Sequence, residues 1–181
     1  MSTDRSKEQT VEMPNGVSAA LEGRSLTIKG KLGLSTKNFD KINVNIAVEG
    51  NAVKIWPFSD KKRDGVVVST ATSLVRNMVT GVTKGYTYRL KVAYAHFPIS
   101  VKVKGGQILV ENFIGERSPR IANTVGDCKV SVEGDDVIVK GVSLEDVGQT
   151  AANVELATKI KKKDQRVFLD GIYIYEKQEG M

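Results

Sequence analysis

Apolar and polar residues alternate in short runs along most of the chain, and twice that two-residue period gives way to a helical one. Leu26-Thr27-Ile28-Lys29, Val53-Lys54-Ile55 and Val101-Lys102-Val103 alternate as half-buried strands do. Four glycine-bearing turns, EGRS (22–25), EGNA (49–52), KGGQ (104–107) and EGDD (133–136), join such runs into hairpins, glycine supplying the positive φ of a tight turn. Ahead of Pro14-Asn15-Gly16, the run VEM (11–13) predicts a short strand entering a turn. Leu74, Val75, Met78, Val79 and Val82 recur at helical spacing and predict an amphipathic helix over 66–83. Ser143 reads as the N-cap of a second helix, with Glu145 and Asp146 in its first turn. Val147, Ala151, Val154, Ala157 and Ile160 carry its apolar face to about residue 162. A closing strand follows each helix, at 86–94 and 167–175.

The order of these elements is repeated, and so is the sequence. VSAALEGRSLTIKGKLG (17–33) resembles ISVKVKGGQILVENFIG (99–115) at a spacing of 82. IAVEGNAVKIW (46–56) echoes VSVEGDDVIVK (130–140) at 84, and GYTYRLKVAY (85–94) echoes VFLDGIYIYE (167–176) at 82. A period this long indicates tandem domains rather than a solenoid. Two hairpins, a helix and a last strand per copy imply an α+β fold of two tandem duplicated domains. Each is a mostly antiparallel sheet packed against one α-helix, the simplest way to bury both apolar surfaces. The first repeat domain, with its N-terminal tail, is expected over 1–95 and the second over 96–181, the boundary falling near Ala95–Pro98.

Composition narrows the possible functions. The apolar runs all fall short of the roughly 18 residues of a membrane span, so no membrane partner is expected. The opening MSTDRSKEQT, polar and mixed in charge, reads as neither a signal nor a transit peptide. Together with a single cysteine, Cys128, this makes the cytoplasm the expected compartment. Net charge is +6 and is unevenly spread: residues 1–95 carry 15 Lys/Arg against 8 Asp/Glu, residues 96–181 carry 12 against 13. A basic chain with segregated charge suits a polyanionic partner.

Catalytic and metal chemistry find little to build on. One histidine and one cysteine cannot make a zinc cluster, so no metal or cofactor is expected. His96, in Tyr94-Ala95-His96-Phe97-Pro98, reads as a packed residue near the domain junction, and Cys128 as a buried residue opening a strand. G-x-S-x-G and phosphate-loop patterns are absent, and an enzyme would need a pocket of Asp, Glu, Lys and Tyr alone, with no small-molecule substrate indicated.

Binding surfaces are better marked. Lys161, Lys162 and Lys163 follow the second helix, with Arg166 in the loop beyond; lysines there also complement the helix macrodipole, and the pattern accommodates both roles. Lys61, Lys62 and Arg63 precede the first helix, and Lys84 follows it. Arg117, Ser118 and Arg120 lie in a strand-poor stretch from about Gly115 to Asp127, and a loop of that length tends to be functional. Arginine suits bidentate phosphate contact, and a serine hydroxyl adds a neutral donor. Scarce exposed aromatics disfavour base-stacking modules and leave shape- and backbone-directed binding to folded RNA or DNA.

Several motifs, in order, resemble a known family. Asn112-Phe113-Ile114-Gly115-Glu116-Arg117, Gly81-Val82-Thr83-Lys84-Gly85-Tyr86, Tyr94-Ala95-His96-Phe97-Pro98-Ile99 and the closing run from Lys163 to Tyr173 are similar to the universal "L-six" family of large-subunit ribosomal proteins. The opening QTVEMPNGV points to its archaeal and eukaryotic branch, and the likeness runs from about Gln9 to Lys177. The Tyr-Lys-Gly-Lys-Gly ending of bacterial members is replaced by Phe-Leu-Asp-Gly-Ile-Tyr, so contacts of the bacterial tail do not carry over. The resemblance implies a duplicated α+β fold and a structural, non-catalytic role. It implies binding to large-subunit rRNA near the stalk base and the sarcin–ricin region, beside neighbouring ribosomal proteins and where translation factors dock. It further implies that the second helix's exit and the Gly115–Arg120 loop face rRNA. The competing reading is a free-standing protein–protein adaptor using its exposed sheet edges, with the basic clusters merely solvated.

Overall fold

The computed structural model describes residues 8–181, apart from residues 60, 162 and 165. The chain packs as two units, Met1–Lys84 and Gly85–Met181. In the first, β2 (Ser18–Glu22), β3 (Ser25–Gly30) and β4 (Gly33–Asn38) form one antiparallel sheet in the order β2-β3-β4. A second sheet has the order β1-β6-β5, from β1 (Gln9–Glu12), β5 (Val44–Glu49) and β6 (Ala52–Pro57). Helix α1 (Lys62–Thr83) packs on both sheets. Its inward residues Val68, Ala71, Val75 and Val82 meet the alternate strand residues Leu26, Ile28, Val53 and Ile55, all essentially inaccessible to solvent. This is the helical period laid on the two-residue period.

The second unit repeats the plan. β8 (Ser100–Lys104), β9 (Gln107–Glu111) and β10 (Arg120–Asn123) form the sheet β10-β9-β8. β7 (Tyr86–Ala93), β11 (Lys129–Glu133), β12 (Asp136–Gly141) and β13 (Gly171–Glu179) form a four-stranded sheet in the order β11-β12-β7-β13. Helix α2 (Leu144–Ala157) closes the core with Val147, Ala151 and Val154 against Leu90, Ile108, Val137, Val139 and Ile172. As its sequence predicts, Ser143 caps α2, its hydroxyl accepting from the Asp146 amide at 3.2 Å. The four predicted hairpins form, with Gly23, Gly50, Gly105 and Gly134 all near φ +60°.

Three expectations need correction. Each repeat has a third strand in its first sheet, β4 and β10, so the stretch from Gly115 to Asp127 is not a simple loop. Both lie at sheet edges, and their exposed positions include Leu34 and Ile121, so their apolar residues do not mark the buried face from which a strand is read. The final strand begins at Gly171 rather than at 167, because Val167 and Phe168 both donate to the Asp164 carbonyl and turn the chain before it.

The third correction concerns the domain boundary, which the repeat places after residue 95 and the packing places after Lys84. β7 lies between β12 and β13 and bonds to both, and the Gly180 amide donates to the Gly85 carbonyl. In the first unit the slot beside β6 is occupied by β1, so β7 has no edge left to join there. β7 therefore pairs with β13, its own counterpart in the second copy, through an antiparallel register running from Gly171↔Ala93 to Glu179↔Tyr86 with a bulge at Tyr175. The buried Asp170 carboxylate pins one end of this pair by accepting from the Ala95 amide at 2.5 Å.

Candidate nucleic-acid interface

The two ends of α1 place the first set of basic residues. Lys61 is exposed at the N-cap position without a side-chain capping bond, and Lys62 and Arg63 open the first turn. Cations there face the positive end of the helix dipole, a cost of about 0.3–1 kcal/mol each at the surface. Asp64 offsets part of it, taking the Ser59 hydroxyl and lying 3.6 Å from Arg63 Nε. The helix dipole therefore disfavours Lys61 and Arg63 at this end, and the Lys62 side chain lies outside the described residues. Lys84 is the opposite case: its amide closes the helix on the Thr80 carbonyl at 2.8 Å, and its charge suits the negative end. At 1.5 Å per residue the two ends are roughly 30 Å apart, so Lys84 and Lys61–Arg63 do not form one cluster.

In the second unit, tertiary contacts gather residues from distant parts of the sequence. After β9 the chain makes an unusual turn: Asn112 (φ 59°) and Ile114 (φ 51°) are both left-handed, as is Gly115 (φ 74°). For a β-branched residue such as Ile114 this conformation is a true outlier, costing on the order of 1–3 kcal/mol. Surrounding contacts impose it. Asn112 Nδ2 donates to the Pro98 carbonyl at 3.0 Å, and Phe113 is completely buried. Gly115 sits at φ +74°, which L side chains rarely adopt, and the Phe97 ring lies at ordinary contact distance from where a Cβ would stand, so glycine is required by the backbone rather than by space.

Arg120 locks that turn to α2. Its guanidinium forks onto Glu116, with Nη2 to Oε1 at 2.6 Å and Nε to Oε2 at 2.8 Å. Nη1 donates to the carbonyls of Ala157 at 2.9 Å and Lys159 at 3.2 Å, and the charge sits 4.2 Å from the centre of the Phe113 ring. Carbonyls at a helix end lack intrahelical donors, and Arg120 supplies them together with the favourable charge. The bond from Arg120 also holds the Glu116 carboxyl below the ordinary carboxylate range. Arg120, read from the sequence as a phosphate ligand, is thus occupied within the protein. Arg24 in the first unit behaves likewise, its Nη2 meeting the carbonyls of Phe39, Ile42 and Val44.

α2 ends at Ala157, five residues before the expected end. Ile160 turns into the core, and Thr158 Oγ1 accepts from the Ile172 amide at 3.0 Å, which draws the chain off the helical path. Lys161 and Lys163 therefore stand beyond the helix, exposed, and Arg120 fills the dipole-complementing role. Lys162 lies outside the described residues. Lys163 Nζ rests 4.5 Å from the Phe168 ring centre. Arg166 is exposed and held by Asp164 at 3.0–3.1 Å, a pairing that lowers the Asp164 pKa and raises that of Arg166. Arg117 and Ser118 are exposed at the tip of the turn that Arg120 anchors. One guanidinium thus brings together the Arg117–Ser118 tip and the Lys159–Lys163 exit, segments some 40 residues apart in sequence.

The remaining candidates for chemistry are isolated. His96 is exposed rather than packed, edge-on to Phe97 with ring centres 5.0 Å apart. Cys128 is half-buried just before β11, and burial raises its thiol pKa. Among the described residues no three His, Cys, Asp or Glu side chains gather as metal ligands, and no helix is long and apolar enough to cross a membrane. Sequence reasoning missed the Glu116–Arg120 pair, whose only local sign is its i,i+4 spacing. It also missed the exposed apolar group Leu156, Leu169 and Tyr173 beside the lysines.

Comparison with known proteins agrees with the repeat. The family model described as Ribosomal protein L6 matches residues 13–85 and again 97–171. A protein named large ribosomal subunit protein uL6 from Methanocella arvoryzae is 45% identical over 172 residues, which cover 94% of this chain and 97% of its own length. Proteins of the same name from Archaeoglobus fulgidus and Aeropyrum pernix are 45% and 44% identical, covering 97% and 98% of this chain and 92% and 98% of their own lengths.

Proposed function

The chain belongs to the ribosomal protein L6 family, in its archaeal-type branch, and from that premise we propose that it binds large-subunit rRNA near the stalk base and the sarcin–ricin region, where translation factors dock. It is a structural, non-catalytic constituent of the large ribosomal subunit, acting in the cytoplasm among rRNA and neighbouring ribosomal proteins. The observation that carries the reading is identity of about 45% along nearly the whole chain to proteins of that name.

Physical chemistry supports assigning the contact to particular segments. Arg117, Ser118, Lys161, Lys163 and Arg166 are exposed on one unit, and Arg120 ties the turn bearing Arg117 and Ser118 to the end of α2, from which the lysines follow. Arg120 serves this surface as a positioning residue. Lys61 and Arg63 occupy a place where they cost the helix stability, which suits side chains kept for an external anion; Lys62 and Lys84 complete the basic set at the two ends of α1.

The test is sedimentation of cell extract followed by binding to large-subunit rRNA fragments. Co-migration with large subunits through a moderate salt wash is expected, with affinity falling steeply with salt as bound counterions are released. Replacing Lys161, Lys162 and Lys163 with Glu should weaken binding. Slow-sedimenting, RNA-free protein would favour the adaptor reading, and unchanged affinity would remove the lysine cluster from the interface.

A further inference from the structure

We propose that the cleft between the end of α2 and the start of β13 receives a single unpaired rRNA nucleotide, its base against an apolar wall and its phosphates on a lysine rim. This inference rests on the rRNA-binding role proposed above and assigns a specific structural element of the RNA to that surface.

The cleft has a volume of about 400 Å³, room for one base and its ribose. Ile160 and Phe168 belong to the core and form its apolar base, while Leu156 and Tyr173 line it from α2 and β13. Leu156 is 60% exposed and Tyr173 45%, and Val167 and Leu169, which flank the lining residue Phe168 in the chain, are 71% and 65% exposed. So much apolar surface in one place marks a binding site rather than scattered exposure. Tyr173 is held firmly: its hydroxyl donates to the Leu169 carbonyl at 3.2 Å, and its ring lies so close over Gly171 that a Cβ there would approach it to 2.8 Å.

Charge selects the occupant. Lys159 lines the cleft, Lys161 is exposed beside it, and the Lys163 ammonium sits 4.5 Å from the Phe168 ring centre. The opposing acids are Glu155, which also lines the cleft, and Asp164, which is engaged with Arg166. An apolar and aromatic wall under a cationic rim fits a ligand that is a flat apolar face joined to phosphates. Paired RNA hides its bases, whereas a bulged or looped nucleotide can be splayed out and stacked on an aromatic ring. An acidic peptide with apolar side chains is the competing occupant.

Binding of the full chain to two RNA hairpins, identical except that one carries a single unpaired adenosine, tests the proposal. The bulged hairpin should bind about tenfold tighter, the scale of one base stacked on an aromatic side chain. Leu156→Ser with Tyr173→Leu should abolish that preference while leaving the paired hairpin unaffected; both positions are exposed, and circular dichroism checks that the variant is folded. Lys161→Gln should weaken both hairpins alike. Equal binding of the two hairpins by the unmodified chain, or a preference that survives the double substitution, overturns the proposal. So does a Glu/Leu-rich peptide that binds with the same dependence on Leu156 and Tyr173 while the bulge confers no advantage. Equal, salt-sensitive binding of both hairpins, with the chain still sedimenting with large subunits, sinks only this inference. Failure to bind either RNA or to sediment with large subunits sinks the ribosomal reading as well.

Discussion

Replacing Arg120 with alanine should destabilise the second unit while leaving direct RNA contacts in place. The fork onto Glu116 is partly solvent-screened, the two side chains being 26% and 42% exposed, and such a pair contributes about 0.5–1 kcal/mol. The two bonds to the Ala157 and Lys159 carbonyls contribute about 0.5–1 kcal/mol each, since those carbonyls can regain water. The contact with the Phe113 ring adds about 0.5–1 kcal/mol. The expected loss is therefore roughly 2–4 kcal/mol, or a fall of about 10 °C or more in the midpoint for a unit of this size. Urea unfolding of the full chain measures the loss, and amide exchange locates it in the last turn of α2. A double-mutant cycle with Glu116→Gln should return a coupling of about 0.5–1 kcal/mol. Arg120→Lys should recover little, because one ammonium cannot serve a carboxylate fork and two carbonyls together. In RNA binding, Arg120→Lys and Arg120→Ala should leave the slope of affinity against salt unchanged. A loss below about 0.5 kcal/mol with no coupling would refute this reasoning. A slope reduced by nearly one counterion would instead make Arg120 a phosphate ligand.

Two further outcomes follow from the same unit. Ser143→Ala removes the acceptor for the Asp146 amide and should cost about 1 kcal/mol in urea unfolding, with Ser143→Asp restoring most of it. Glu116 has its folded pKa depressed by Arg120, so its contribution is fully present above the unfolded carboxylate value and is lost as pH falls through the lower folded one. Stability of the Glu116→Gln variant should therefore start below that of the unmodified chain near neutrality and converge with it in acid, as followed by urea midpoints across that range.

What the sequence determined by itself is local. The four hairpins were legible because a tight turn needs a glycine at positive φ whatever surrounds it, and the alternation on either side sets which face is buried. Ser143 and the acids after it marked the start of α2 for the same reason, the orphan amides of a first turn being satisfied within three residues. Duplication was legible because both copies keep those local signals in the same order.

The tertiary structure decided what depends on competition between distant partners. β7 reads as the last strand of the first copy, yet β1 holds the place beside β6, and hydrogen bonds to β12 and β13 settle β7 in the second unit. β4 and β10 are edge strands with Leu34 and Ile121 turned to solvent, so their place depends on a neighbour's free edge more than on their own pattern. Arg120 and Lys161 look alike in a sequence, each a cation near a presumed loop. Only folding brings Glu116, Phe113 and the carbonyls of Ala157 and Lys159 to Arg120 and leaves Lys161 in solvent. A charge's role depends on which partners reach it within about 3 Å, and those partners come from segments that composition and spacing do not connect.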